Sequence, residues 1–227
     1  MEMQEDEMGK VILLSETTTN PITTIGKMAG ICYGADVTNP EKNYARGLDC
    51  LENNHGRTLE YPQLYFKLEG FSARVIREFY THIGGMPTRL QESTRYINYQ
   101  EGFNFIVPHT IEDNPKAKDI YFYEMDNILY SIRELEKLGI PKEDSANLLP
   151  LGMVSNIVVR TNLRNIIDMS RQRKCKRAYW EFRELFEELE KAMFNYSIEY
   201  EYIVKNHLKP KCAVLGYCPE KKPCNKI

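Results

Sequence analysis

Apolar residues recur along this chain with two periods, and the switches between them mark out its elements. Residues 11–14 form a short apolar run that predicts a strand. A helix is expected from Pro21 to about Tyr33, where Gly34 follows. Asn39-Pro40-Glu41 combines a cap residue, a proline at the first helical position and an acid, so a second helix should run from there to about Asn53. Residues 64–69 alternate polar and apolar side chains and predict a strand. Ser72 then caps a helix with Val75, Ile76, Phe79, Tyr80 and Ile83 at helical spacing, which Gly84-Gly85 stops. Residues 121–138 give an amphipathic helix with Met125, Ile128, Leu129, Ile132 and Leu135 inward and Gly139 as its stop.

Pro141 opens a short helix that ends before Pro150. Residues 154–159, mostly β-branched, predict a strand. Thr161 or Asn162 then caps what should be the longest helix, reaching at least Met193 and as far as Val204. The pattern is α+β: helix-dominated, with a small, mostly antiparallel sheet and a long C-terminal helix. There is no internal repeat and no dividing linker. Residues 1–208 are therefore expected to form one domain, followed by a Cys-, Lys- and Pro-rich tail over 209–227.

Composition narrows the function. A net charge of −2 leaves no global field to attract nucleic acid. No run approaches the ~18 apolar residues of a membrane span. The opening Met-Glu-Met-Gln-Glu-Asp-Glu is acidic, unlike a secretory signal. Six cysteines in a chain of this length do not suggest a secreted disulfide framework. A cytoplasmic protein with reduced thiols is expected, without nucleic-acid or membrane partners.

The densest candidate chemistry lies in residues 88–96, Thr-Arg-Leu-Gln-Glu-Ser-Thr-Arg-Tyr, after the turn Gly84-Gly85-Met86-Pro87. Arg95 offers a fork of donors, and Ser93 and Thr94 add hydroxyls, an inventory suited to a phosphate monoester. A plainer alternative is a capping box of Thr88 and Gln91 on a short helix with solvated arginines. A second feature is the charge order beyond residue 159. Residues 160–177 carry seven Lys or Arg and one acid, Asp168, whereas residues 181–190 carry five Glu and one Arg. On one continuous helix the macrodipole disfavours this order, unless a bound anion or a salt-bridge network offsets it. Asn162 and Arg173 are eleven residues apart, close to three turns, so they share one side about 16 Å apart. Arg164 and Asp168 lie on another side and could pair at i, i+4.

The end of the first segment, Gln91-Glu92-Ser93-Thr94-Arg95-Tyr96, resembles the Glu-x-Ser-x-Arg-Tyr signature of the flavin-dependent thymidylate synthases, the ThyX family. Asn162-Leu163-Arg164 with Asp168 and Arg173 resembles that family's C-terminal helix, and the likeness extends over roughly residues 10–206. The resemblance implies reductive methylation of dUMP to dTMP, with methylenetetrahydrofolate as carbon donor and FAD reduced by NADPH. It implies a homotetramer with active sites at subunit interfaces. Carried over by position, Gln91, Glu92, Ser93, Thr94 and Arg95 would hold dUMP. Arg173 would stabilise the N3 anion of the pyrimidine. His55, Glu60, His82, Asn162, Arg164 and Asp168 would lie on the flavin side.

Three positions depart from the family pattern. The signature's opening Arg-His-Arg corresponds to Thr81-His82-Ile83-Gly84-Gly85, the family glutamate is Gln91, and a nucleotide-binding arginine is Ala146. Arg89, Arg74 or Arg77 could substitute. The departures also leave open an FAD-binding homologue with an altered or lost pyrimidine substrate. A nucleic-acid module built on residues 171–177 with Tyr179 and Trp180 is a further alternative. Cys175, in Arg-Lys-Cys-Lys-Arg, is either a thiol activated by its cations or a small residue packed on the long helix. His207, Cys212, Cys218 and Cys224 could supply four zinc ligands, although no Cys-x-x-Cys is present and free tail thiols are the plainer expectation.

Overall fold

A computed structural model describes residues 9–224; the acidic opening segment, residues 1–8, lies outside the described residues. The elements run β1 (Lys10–Leu13), α1 (Pro21–Cys32), α2 (Pro40–Glu52), a 3-10 turn (Thr58–Glu60), β2 (Gln63–Ser72), α3 (Ala73–Phe79) and β3 (Thr88–Gln91). Then come α4 (His109–Glu112), α5 (Pro115–Lys137), α6 (Lys142–Ser145), a second 3-10 turn (Ala146–Leu148) and β4 (Val154–Asn162). The chain closes with α7 (Leu163–Arg173), α8 (Trp180–Tyr196), α9 (Ile198–His207) and α10 (Lys211–Leu215).

The sheet has four strands in the order β1-β2-β4-β3. Leu163 N donates to Pro62 O at one end of the β2–β4 pair and Ala73 N donates to Met153 O at the other. Residue numbers therefore rise in opposite senses, the mark of antiparallel pairing. The α+β, helix-dominated expectation with a small antiparallel sheet holds.

Two compact units can be distinguished. One comprises Glu69–Phe79 and Gln91–Ile157. Its core gathers Tyr99, Ile132 and Met153, with Ala73, Ile97, Phe103, Ile128 and Leu149 against them. The other comprises Lys10–Leu68, Tyr80–Leu90 and the chain from Val158 onward. Its core holds Leu64, Phe66 and Leu68 from alternate positions of β2, and Phe182, Leu185, Phe186, Leu189 and Met193 from one stripe of α8. Burying each such side chain contributes about 1.5–3 kcal/mol. Helices α1 and α2 cross at glycines: a Cβ on Gly26 would lie 1.7 Å from Asn43 O, and one on Gly47 would lie 1.9 Å from Ile22 O.

Three expectations need correction. The long C-terminal helix is three helices. α7 ends at Arg173, residues 174–179 form a non-helical link, and Ser197 sits in extended backbone (φ −159°, ψ 159°) before α9. The interruption resolves the charge order. Arg171 and Arg173 occupy the last turn of α7, and Glu181 the first turn of α8, the placements the macrodipole favours. Second, α3 stops at Phe79, because Tyr80 and Ile83 are 39% and 74% exposed and have no core to enter. Third, Thr88–Gln91 is a strand, so no capping box forms there.

Candidate active site

Helix α7 starts where Asn162 leaves β4, and the Asn162 side chain accepts from Asn165 N at 2.9 Å. This cap satisfies one of the amides that a helix start leaves unpaired. Gly85 packs on it so closely that a Cβ there would lie 1.9 Å from Asn162 Nδ2, and Gly85 also has φ +70°. Only glycine suits both conditions. Asn165 donates to Thr161 Oγ1 at 2.9 Å and to the carbonyl of His82 at 3.5 Å.

Three turns on, Arg173 donates from Nε to His82 Nε2 at 2.8 Å, and its Cζ lies 4.3 Å from the centre of the Phe182 ring. Its Nη2 is 3.4 Å from Thr81 Oγ1. His82 is 8% exposed and meets Phe182 edge-on, with ring centres 5.7 Å apart. Burial first, then the cations of Arg173 and Arg89, push its pKa down to about 4. The ring is therefore neutral near pH 7, with Nε2 free to accept. Arg89 donates to the His82 carbonyl and to Tyr80 O, with Cζ 4.9 Å from the Tyr80 ring centre.

The outer side of α7 lines a cavity of about 140 Å3 with Asn54, Gly56, Leu59, Arg164, Ile167, Asp168 and Arg171. Arg164 donates to Glu60 at 2.6 Å, and Asp168 accepts from Arg171 at 3.0 Å. The expected Arg164–Asp168 pair is the looser one, at 3.9 Å. Arg171 Nε is buried and lacks a hydrogen-bond partner. Two guanidinium groups, Arg164 and Arg171, and the Asn54 carboxamide are donors suited to a phosphate-bearing ligand, beside the Asp168 carboxylate.

Residues 91–95 belong to the other unit. Gln91 donates to Ser155 Oγ at 3.1 Å. The Glu92 carboxylate accepts from Asn156 N at 2.8 Å and from Asn156 Nδ2 at 2.7 Å. Arg95 Nε meets Glu143 at 2.8 Å in an exposed ion pair, and its N–H lies 3.3 Å from Ser93 Oγ.

The chain matches the model of the thymidylate synthase complementing protein family over residues 13–195. A flavin-dependent thymidylate synthase of Pyrococcus abyssi is 32% identical over 178 residues, spanning 74% of this chain and 69% of the relative. The chain belongs to the flavin-dependent thymidylate synthase family. A relative of that name from Clostridium tetani is 25% identical over 96% of this chain and 94% of its own. The crystal structure of flavin-dependent thymidylate synthase ThyX from Helicobacter pylori, complexed with FAD and dUMP, aligns with a TM-score of 0.68. It covers 88% of this chain and all of its own at 18% identity, a likeness of fold.

Within this synthase fold, the structure brings His82 and Arg173 into contact and sets Arg164 and Asp168 beside one cavity. His55 is exposed on the loop after α2, and Glu60 is tied to Arg164. Sequence reasoning missed Phe182, Asn54 and Arg171. Phe182 carries only the signal of a core position on α8. Asn54 was marked by nothing but its loop, where φ is +55°. Arg171 was visible as the i+3 neighbour of Asp168. Of the suggested substitutes for the missing arginines, Arg89 is committed to the carbonyls of residues 80 and 82.

The basic run 171–177 is not one cationic face. Arg171 pairs with Asp168, Lys174 with Glu190 and Arg177 with Glu220. That dispersal argues against the nucleic-acid module. Cys175 lies in the link after α7, not on a helix, and all six cysteines are free. Among the described residues no three His, Cys, Asp or Glu converge as metal ligands. No described helix is long and apolar enough to cross a membrane. Part of the tail is ordered on the second unit, where Ser170 Oγ donates to Lys209 O at 3.3 Å.

Proposed function

We infer that this chain converts dUMP to dTMP by reductive methylation, taking the carbon from methylenetetrahydrofolate and using FAD reduced by NADPH. The observation that supports the reading best is family membership over residues 13–195, a span that includes both candidate segments. The donors Arg164, Arg171 and Asn54 suit the phosphate-bearing part of FAD, with Asp168 accepting from Arg171 to orient it and His55 and Glu60 on the adjoining segment. Asn162 contributes by fixing the start of α7. Bound FAD supplies the redox chemistry.

The chain's own residues have two tasks. Gln91, Glu92, Ser93, Thr94 and Arg95 form the dUMP segment. Ser93 and Arg95 hold the phosphate, and Arg95 can exchange its exposed ion pair with Glu143 for that anion at little cost. Uracil C5 is a poor nucleophile until negative charge develops on the ring. The Arg173 guanidinium stabilises that charge around N3. The protein is expected to work as a homotetramer in the cytoplasm, and light scattering would test its assembly.

The decisive experiment supplies dUMP, methylenetetrahydrofolate and NADPH to flavin-loaded protein and measures dTMP. Product dependent on all three is expected. A yellow protein that binds FAD but makes no dTMP would favour the altered-substrate homologue, and a colourless protein that refuses added FAD would overturn both.

A further inference from the structure

We propose that His82 and Phe182 are positioning residues that fix the guanidinium of Arg173 in the orientation it needs toward the pyrimidine. The proposal rests on the reading of Arg173 as the stabiliser of ring charge, and it gives His82 a task other than touching the flavin.

The geometry is specific. Arg173 sits at the end of α7, where an arginine side chain ordinarily samples many rotamers, so holding it in one has an entropic cost. Contacts of different kinds restrict it, among them the 3.4 Å approach of Nη2 to Thr81 Oγ1. The 2.8 Å bond from Nε to His82 Nε2 fixes the direction of the fork. The Phe182 ring, its centre 4.3 Å from Cζ, packs against the guanidinium. The two partners also brace each other edge to face at 5.7 Å. A hydrogen bond and a packed ring together leave the guanidinium little freedom to swing.

His82 is itself held firmly. Its carbonyl accepts from Arg89 and, at 3.5 Å, from Asn165 on α7. The backbone that carries the imidazole is thus tied to the same helix that carries Arg173. The depressed pKa keeps the ring an acceptor across the neutral range. Nε2 is engaged by Arg173, so the bond requires the tautomer with its proton on Nδ1. Preorganisation of this kind matters for electrostatic stabilisation, because a donor already aimed needs no reorientation as charge develops.

The test uses the FAD-loaded enzyme and four variants: His82→Gln, His82→Phe, Phe182→Leu and Arg173→Ala. His82→Phe removes the acceptor and should lower kcat about tenfold to a hundredfold, with KM for dUMP moving less and FAD retained. His82→Gln restores a neutral acceptor and should recover most of that loss. Phe182→Leu keeps bulk without the aromatic face and should fall between them. A second readout is hydrogen exchange of the Arg173 Nε–H, followed by NMR and assigned from its absence in Arg173→Ala. Exchange should be slow in the unaltered protein and fast in His82→Phe.

If Arg173→Ala loses turnover while His82→Phe keeps it, the positioning role is wrong and the role of Arg173 stands. If Arg173→Ala keeps turnover, the underlying reading of Arg173 fails and the proposal fails with it. Loss of FAD in His82→Gln with slow Nε–H exchange intact would make His82 a flavin residue instead. Should His82→Phe fail to fold, fast exchange in the unaltered protein would by itself overturn the proposal.

Discussion

The Glu199 carboxylate accepts the backbone N–H of Ile22 at 2.6 Å, joining the first turn of α9 to the first turn of α1 across 177 residues of sequence. It also accepts from Thr23 N at 3.0 Å and Thr23 Oγ1 at 2.5 Å. Asn20, the residue at the cap position of α1, makes no side-chain cap bond. A distant, buried acid therefore does the capping, with the added benefit of negative charge at a helix N-terminus.

Glu199→Ala should consequently lower stability by about 2–4 kcal/mol, because it leaves buried donors without partners. Glu199→Gln should recover part of this, since one acceptor oxygen remains. Urea unfolding followed by circular dichroism measures both. A loss below about 0.5 kcal/mol, the scale of an ordinary surface substitution, would show that the contact adds little.

Arg95 is set in an ion pair whose side chains are 65% and 52% exposed, so its structural contribution is small. Arg95→Ala should leave the midpoint of thermal unfolding nearly unchanged. It should weaken dUMP binding about tenfold to a hundredfold, the scale of a lost charge-assisted contact. FAD content should stay near normal. Calorimetric titration with dUMP checks this, and an unchanged dissociation constant would remove Arg95 from the phosphate site.

Arg173→Ala should reduce dTMP formation by about a hundredfold or more at saturating dUMP, the scale of a lost electrostatic stabiliser. Arg173→Lys should recover only part, because an ammonium on a flexible stem cannot reproduce both the Nε bond to His82 and the contact of the planar guanidinium with Phe182. Steady-state kinetics decides. Near-normal turnover in Arg173→Ala would mean that the end of α7 is not catalytic.

His82 also gives stability a pH dependence of definite sign. Its folded pKa, about 4, lies below the ordinary value of 6.5. Between those values the unfolded chain binds a proton that the folded chain refuses. Stability is therefore full above about pH 6.5 and declines as pH falls toward about 4, by on the order of 2–3 kcal/mol from this group. His82→Gln should flatten that part of the profile. Urea unfolding of both proteins at intervals from pH 4 to 7 tests it, and parallel profiles would assign the acid sensitivity elsewhere.

Local physics was legible along most of the chain. Asn39-Pro40-Glu41 specified the start of α2, and the Asn39 side chain does accept from Lys42 N. Apolar spacing gave α1 and α5 to within a few residues at the C-terminal end, and alternation found β2. These features depend on neighbours within a turn or two, which sequence records directly. The motif of residues 91–96 and the Asn162–Arg173 spacing likewise carried the family, since both are short and ordered.

Tertiary structure decided what depends on partners far apart in sequence. Unbroken helical spacing could not show that α7 ends at Arg173, because a helix ends where its caps and packing change, and Ser197 and the 174–179 link act through both. Thr88–Gln91 is extended because β4 lies beside it to accept its edge. Nothing in the order of residues joins His82 to Arg173, 91 positions away, or Glu199 to Ile22. The sequence by itself determined which guanidinium, hydroxyl and carboxamide side chains this protein carries and in what order. The fold alone decided their aim, because the direction of a guanidinium is set by whatever closes around it.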